Sequence, residues 1–200
     1  FNCISRIYPV DSGEIYYADN RLDLLPPHKI ARLGIGRSFQ LTRTLDHLSV
    51  TENLALHTAG GFGSHLLQRG VTISDKQRAD EIMEFLGISA LADLDMGSLS
   101  YGQKKLLDLG AVLMADPALI LLDEPAAGVN LRLLENIIDK LVALKEQGKT
   151  ILLVEHNMDV VMGVSDDVIV MSAGQIIATG NPSEIQNNPD VLEAYLGRNT

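Results

Sequence analysis

Two adjacent acids, Asp123 and Glu124, close the apolar run Leu119-Ile120-Leu121-Leu122 and stand just ahead of Pro125. Four aliphatic residues in a row read as a strand covered on both faces. Where a chain leaves such a strand, successive side chains can point to different targets. Asp123 can then hold a phosphate-bound Mg²⁺ while Glu124 polarises an attacking water. The plainer reading is a polar strand exit locked by a proline. His156 ends a second apolar run, Ile151-Leu152-Leu153-Val154, with Glu155 beside it. On a shared rim with the two acids its imidazole would hydrogen-bond a γ-phosphate; a lone histidine is otherwise more often structural. Gln40 follows Ser38-Phe39 at the end of an early strand. An amide there can ligate Mg²⁺ and the same water, although glutamine is common at strand ends.

Ser100-Tyr101-Gly102-Gln103 precedes a helical pattern through Leu106, Leu107, Leu109 and Val112. Ser100 and Gln103 have the spacing of a capping box, which alone predicts only a well-started helix. A helix N-terminus with glycine in its first turn also presents backbone N–H groups and partial positive charge to a phosphate. The helix leads straight into the strand that carries Asp123, which favours that second reading. A G-x-x-x-x-G-K-S/T loop is absent from the 200 residues. Gly34-Ile35-Gly36 is too short to cradle a phosphate, and Gly60 to Gly63 has no lysine behind it. No nucleophile–histidine set and no zinc-like Cys/His cluster stands out. His28, His47, His57 and His65 lack metal-ligand spacing and read as surface or packing residues.

These residues need a parallel sheet to bring them to one rim, because ligands of open α/β sheets gather beyond the carboxyl ends of the strands. In the first stretch, to about residue 40, Gly13 to Ala18 reads as a strand, Pro26 to Gly34 as a helix with proline in its first turn, and Ile35 to Gln40 as a strand running into a loop. Residues 41–98 read as helical: Ser49 and Glu52 form a capping box, and Asp75 to Leu86 keeps helical spacing at Ile82, Phe85 and Leu86 before Gly87. From residue 99 strands and helices alternate. Leu131 to Gln147 has an apolar face through Leu134, Ile137 and Leu141 and joins the Leu119 and Ile151 strands as a βαβ unit. Val168-Ile169-Val170-Met171 reads as a third strand covered on both faces, with a hairpin through Gly174 into Gln175 to Ala178. The class is α/β with a helical insertion.

Hydrophobic residues make up 46% and charged residues 21% of the chain, as in an ordinary globular domain. Twenty-six acidic and sixteen basic residues give a net charge of −10, with no basic stripe of the kind a nucleic-acid reader carries. The single cysteine, Cys3, cannot form an internal disulfide, which fits a reducing compartment. No apolar run reaches the roughly 18 residues a membrane span needs, so direct insertion into a bilayer is not expected. The chain opens on Phe1, in an apolar stretch to Ile7 that reads as the tail of a helix, and so as a chain missing its natural start.

In this order the motifs resemble those of ATP-binding subunits of ABC transporters. Arg37-Ser38-Phe39-Gln40 is similar to that family's Q-loop, Leu99-Ser100-Tyr101-Gly102-Gln103 to its LSGGQ signature with Tyr101 for the first glycine, and Leu119 to Pro125 to its Walker B motif. Ala127-Gly128-Val129-Asn130 is similar to the D-loop, with Asn130 where many relatives have aspartate, and His156 to the H-loop. The tail Asn188 to Gly197 resembles ATPases of branched-chain amino-acid importers. The same tail style occurs in lipopolysaccharide-export ATPases, and urea and amide importers are also close.

The resemblance implies a P-loop NTPase-type fold, incomplete at its N-terminus because the Walker A loop would precede Phe1. Residues 1–40 and 99–200 would form a catalytic α/β core and 41–98 a helical subdomain. It implies ATP and Mg²⁺ as ligands: Asp123 and Gln40 at the metal, Glu124 and His156 in hydrolysis, and Ser100, Tyr101, Gly102, Gln103 and Asn130 at the nucleotide. It also implies a second ATPase subunit, a membrane permease, and a place on the cytoplasmic face of the membrane. Without a Walker A lysine and backbone the 200 residues alone are expected to hydrolyse ATP weakly or not at all. The alternative is a non-catalytic binding module.

Overall fold

The structure, a computed structural model, describes residues 1–38, 45–58 and 71–196. Its organising element is β4, Leu119–Asp123, the middle strand of a three-stranded parallel sheet between β3, Ile35–Arg37, and β5, Thr150–Val154. The register sets Ile35 beside Leu119, Leu119 beside Thr150 and Asp123 beside Val154, so the three strands end toward one rim. Side chains alternate across β4. Ile120 and Leu122 enter one large core and Leu121 a second on the opposite face, with Leu22, Ile30 and Ile35. This two-sided burial is what the continuous aliphatic run requires.

The larger core joins the sheet to the helices on either side of it in sequence. It takes Val50 and Leu54 from α2, Val50–Ala55, Ile82 and Leu86 from α3, Ile73–Leu86, Leu106 and Leu109 from α4, Tyr101–Leu113, and Ile137 and Leu141 from α5, Leu131–Glu146. Leu122 is 1% exposed within it. Leu122→Ala is expected to cost about 2–5 kcal/mol, because deletion of buried methyl groups adds a cavity to the lost transfer energy; equilibrium denaturation by urea measures it.

Local chemistry sets the helix boundaries. α1, Pro27–Arg32, starts on proline. Full capping boxes start α2 at Ser49 and Glu52, α3 at Thr72 and Asp75, and α4 at Ser100 and Gln103. Gly87, at φ +72°, stops α3. The helix expected from Asp75 therefore begins two residues earlier, because Thr72 supplies the cap and Asp75 returns the bond. Residues 1–7 form one turn with the hydrogen-bond pattern of a helix C-terminus: Arg6 N–H donates to the Cys3 carbonyl and Ile7 N–H to that of Asn2, with Arg6 at φ +57°.

Three strand expectations change. The strand expected over Gly13 to Ala18 shrinks to β1, Tyr16–Tyr17, paired with β2, Asn20–Arg21, since left-handed Ala18 turns the chain at once. Val168–Ser172, β6, is not in the parallel sheet. It pairs antiparallel with β7, Gln175–Gly180, as a separate hairpin that leaves Ile169 and Met171 exposed. Hydrogen bonding to its sequence neighbour satisfied that strand without the two-sided cover its composition suggested. β5 is half-buried on one face, through Ile151 and Leu153, with Leu152 and Val154 exposed on the other. Beyond the sheet, α6, Met158–Val164, α7, Pro182–Gln186, and α8, Pro189–Leu196, complete the fold.

α4 carries one ionisable group with a large shift. Burial pushes the Asp108 carboxyl up to about 7, against a smaller lowering by Lys105. Its Oδ1 is buried with no hydrogen-bond partner among the described residues. An unfolded aspartate releases its proton near about pH 3.9. Between that value and about 7 the folded chain binds the extra proton, so this group makes stability fall as pH rises through the interval. Asp108→Asn is expected to flatten that fall in melting temperature between about pH 4 and 7; a wild-type slope in the variant would contradict the assignment.

Candidate active site at the carboxyl rim of the sheet

Asp123 is the last residue of β4, and the chain turns sharply at the next. Glu124 sits at φ +46°, a left-handed conformation that is rare outside glycine. Such a backbone persists only where its surroundings fix it, and three bonds do so here. Glu124 N–H donates to the Val154 carbonyl at 2.9 Å, its own carbonyl accepts from Ala127 N–H at 3.1 Å, and the Lys105 ammonium donates to that carbonyl at 3.2 Å. The result is a carboxylate brought to His156: Nδ1 of the imidazole lies 3.5 Å from Glu124 Oε1. The imidazole is 68% exposed and the glutamate 39%, so both reach solvent and any molecule bound there.

Asp123 precedes Glu124 as the end of β4. Its N–H donates to Ser38 Oγ at 3.2 Å, and Ser38 N–H donates to the Leu121 carbonyl at 2.9 Å, which carries β3 alongside β4 to the rim. Arg37 Nη2 is 3.9 Å from Asp123 Oδ2, and the same guanidinium donates to Ser5 Oγ at 2.5 Å and Asn2 Oδ1 at 2.8 Å. Opening-turn residues are thereby tied to the Asp123 carboxylate. Among the described residues no three His, Cys, Asp or Glu side chains could hold a metal ion together. A single partly exposed carboxylate at a rim fits Mg²⁺, which takes one or two protein oxygens and completes its shell with phosphate and water. Gln40 lies outside the described residues.

The N-terminus of α4 stands against the loop that follows Glu124. Tyr101 OH donates to the Ala127 carbonyl at 3.2 Å, and a Cβ on left-handed Gly128 would sit 3.2 Å from the Tyr101 ring. Lys105 Nζ lies 5.8 Å from the centre of that ring. Tyr101 thus packs against a left-handed glycine, where a Cβ would press on its ring. An open cleft of about 620 Å³ is lined by Ser100, Tyr101, Gly102, Gln103, Gly128 and Asn130 among others. Ser100 and Gln103 spend part of their polar capacity on each other: Ser100 N–H donates to Gln103 Oε1 at 2.8 Å, and Gln103 N–H to Ser100 Oγ at 3.4 Å. Asn130 likewise caps α5, accepting from Leu133 N–H at 3.0 Å.

The structure therefore gathers the expected residues into two groups. Asp123, Glu124 and His156 share one rim, and Ser100 to Gln103 face Gly128 and Asn130 across the cleft. Lys105 and Glu155 are further residues here that the sequence did not single out. Lys105 is one more lysine on an amphipathic helix. Glu155 appeared only as a neighbour of His156, yet its side chain is fully buried.

A strand-end acid pair whose second member meets a histidine thus stands on the α/β sheet with a capped helix beside a glycine turn. A family model described as ABC transporter matches residues 1–127, and one described as branched-chain amino acid ATP-binding cassette transporter matches residues 175–199. The chain belongs to the ABC transporter ATP-binding family, whose members couple ATP hydrolysis to transport. It is 37% identical over 202 residues to the probable branched-chain amino acid transport ATP-binding protein LivG of Archaeoglobus fulgidus, covering 98% of this chain and 78% of that protein. It is 35% identical over 206 residues to the high-affinity branched-chain amino acid transport ATP-binding protein LivG of Escherichia coli strain K12, covering 98% and 81%. A solved ATP-binding cassette of an ABC transporter in its ADP conformation superposes with a TM-score of 0.86 at 33% identity, over 98% of this chain and 82% of the other. A nucleotide-free ATP-binding cassette does so at 0.86 and 34%, over 98% and 82%. The expected P-loop NTPase-type fold is borne out by these neighbours, and the importer-like tail by the match over residues 175–199.

Proposed function

We propose that this chain powers the uptake of branched-chain amino acids as the ATP-hydrolysing subunit of an importer. The observation that carries the hydrolytic part is the 3.5 Å approach of His156 Nδ1 to Glu124 Oε1 at the rim where Asp123 ends β4. Bound Mg²⁺ would draw charge from the phosphates and fix their orientation. Asp123 would hold that ion, with Gln40 as a second ligand. Glu124 would accept a proton from the attacking water, and His156 would keep Glu124 oriented and donate to the terminal phosphate. Ser100, Tyr101, Gly102, Gln103 and Asn130 would meet the nucleotide held by a second ATPase subunit, through the cleft at the N-terminus of α4.

The amino-acid specificity rests on the relatives and on the family match over residues 175–199. No helix among the described residues is long and apolar enough to cross a membrane, and the proposed place is on the cytoplasmic face, docked to a permease through residues 41–98. Residues 1–40 and 99–200 would be the catalytic unit and 41–98 the segment that passes its motion on. Uptake of labelled leucine, isoleucine and valine tests this in cells lacking the gene. Expression of the native subunit is expected to restore uptake, and Glu124→Gln is not. Unchanged uptake on deletion, with another solute lost instead, would contradict the substrate class.

A further inference from the structure

Glu155 lies between the two strand exits that carry the hydrolytic pair, and no step above uses it. Its side chain is 0% exposed. A carboxylate removed from water is tolerated where hydrogen bonds replace its hydration, and three backbone donors do so. Oε1 accepts from Ala126 N–H at 2.9 Å, and Oε2 accepts from His156 N–H at 3.0 Å and Asn157 N–H at 3.2 Å. The first donor belongs to the turn two residues past Glu124. The other two belong to the exit of β5, where Asn157 goes on to cap α6 through its own Oδ1. The last strand-to-strand bond, Glu124 N–H to the Val154 carbonyl at 2.9 Å, lies one step earlier. Glu155 therefore continues the ladder with a side chain after the backbones have turned apart.

We propose that Glu155 is a positioning residue for hydrolysis: its buried carboxylate bridges the Glu124 turn to the His156 peptide and so sets the separation of those two side chains. Glu124, left-handed at φ +46°, is fixed upstream by Val154 and downstream through Ala126, and the downstream anchor is Glu155. His156 is oriented by the same group through its own N–H. One carboxylate thus constrains both partners of the 3.5 Å contact without touching substrate. The proposal rests on the reading of Glu124 and His156 as the hydrolytic pair.

Two substitutions in the native subunit separate positioning from packing. Glu155→Gln keeps the volume but turns one acceptor into a donor that faces an N–H. Glu155→Asp keeps the charge and the short-range bonds to the following amides, in the manner of an aspartate turn, and loses the reach to Ala126. Each is expected to lower kcat by about 10- to 100-fold, with KM for ATP within about twofold, as a small misplacement of reacting groups does. In nucleotide-free protein, amide exchange is expected to quicken over 124–127 in both variants, because the one oxygen left in Glu155→Gln gains two bonds by facing the amides of His156 and Asn157, with the rest of the chain unchanged. Wild-type kcat in either variant overturns the proposal, as does unchanged exchange at 124–127. Unfolding of both variants, or quickened exchange throughout the chain, overturns it in favour of a purely structural strut. Glu124→Gln, assayed in parallel, isolates the underlying reading. If that variant keeps its turnover the hydrolytic pair is misassigned and the proposal falls with it; if it loses turnover while the Glu155 variants keep theirs, only the positioning role is refuted.

Discussion

Glu124→Gln in the native subunit is expected to bind ATP as tightly as wild type and to hydrolyse it at least about 100-fold more slowly, the scale of a lost general base. The amide has the same shape, so the turn held by Val154, Ala127 and Lys105 is expected to survive the change. What disappears is the acceptor for the water's proton, the carboxylate whose Oε1 lies 3.5 Å from His156 Nδ1. Phosphate release at saturating ATP measures the first effect, and equilibrium binding of a fluorescent ATP analogue checks that affinity is retained. Equal loss of binding and turnover would mean that Glu124 holds nucleotide and does not act on water.

Asp123→Asn is expected to erase most of the Mg²⁺-dependent part of nucleotide affinity. A charge-assisted contact is worth about 1.5–3 kcal/mol, or roughly a ten- to hundredfold change in dissociation constant. The variant keeps the backbone bond to Ser38 Oγ at 3.2 Å and so the position of the strand end. It also removes the negative charge that lies 3.9 Å from the Arg37 guanidinium. Titration of nucleotide with Mg²⁺ and with a chelator present reads the difference. In wild type the two affinities should separate, and in Asp123→Asn they should converge. A separation as large as wild type would place the ion on other ligands.

Much of this site was legible because its signals are local. Capping boxes at Ser49 and Ser100 follow from residue type and a three-residue spacing, and both form. The aliphatic run before Asp123 demanded cover on both faces, and Ile120, Leu121 and Leu122 divide between two cores. What escaped was tertiary. The apolar content of Val168 to Met171 does not distinguish a sheet core from a hairpin beside the main sheet, and local pairing with Gln175–Gly180 prevailed. The role of Glu155 depends on its side chain turning inward to meet Ala126, 29 residues earlier, which residue spacing does not encode. Its one sequence sign was an acid just past a strand end, two residues before Asn157, the cap of the next helix. Tyr101 replaces the first glycine of the signature pattern, and it contacts the Ala127-Gly128 loop that no strand or helix period would have paired with it.

On the proposed function, a magnesium-held triphosphate sits at the rim defined by Asp123, Glu124 and His156. Mn²⁺ in place of Mg²⁺, bound with ATP to the Glu124→Gln form of the native subunit, tests it by paramagnetic broadening of assigned amide signals. Broadening should be strongest at Asp123, the substituted residue that follows it and His156, and weaker at Leu119 and Thr150, which lie about 13 Å away at the far ends of β4 and β5. Broadening centred at those far ends, or none near Asp123 while ATP is bound, would contradict the account.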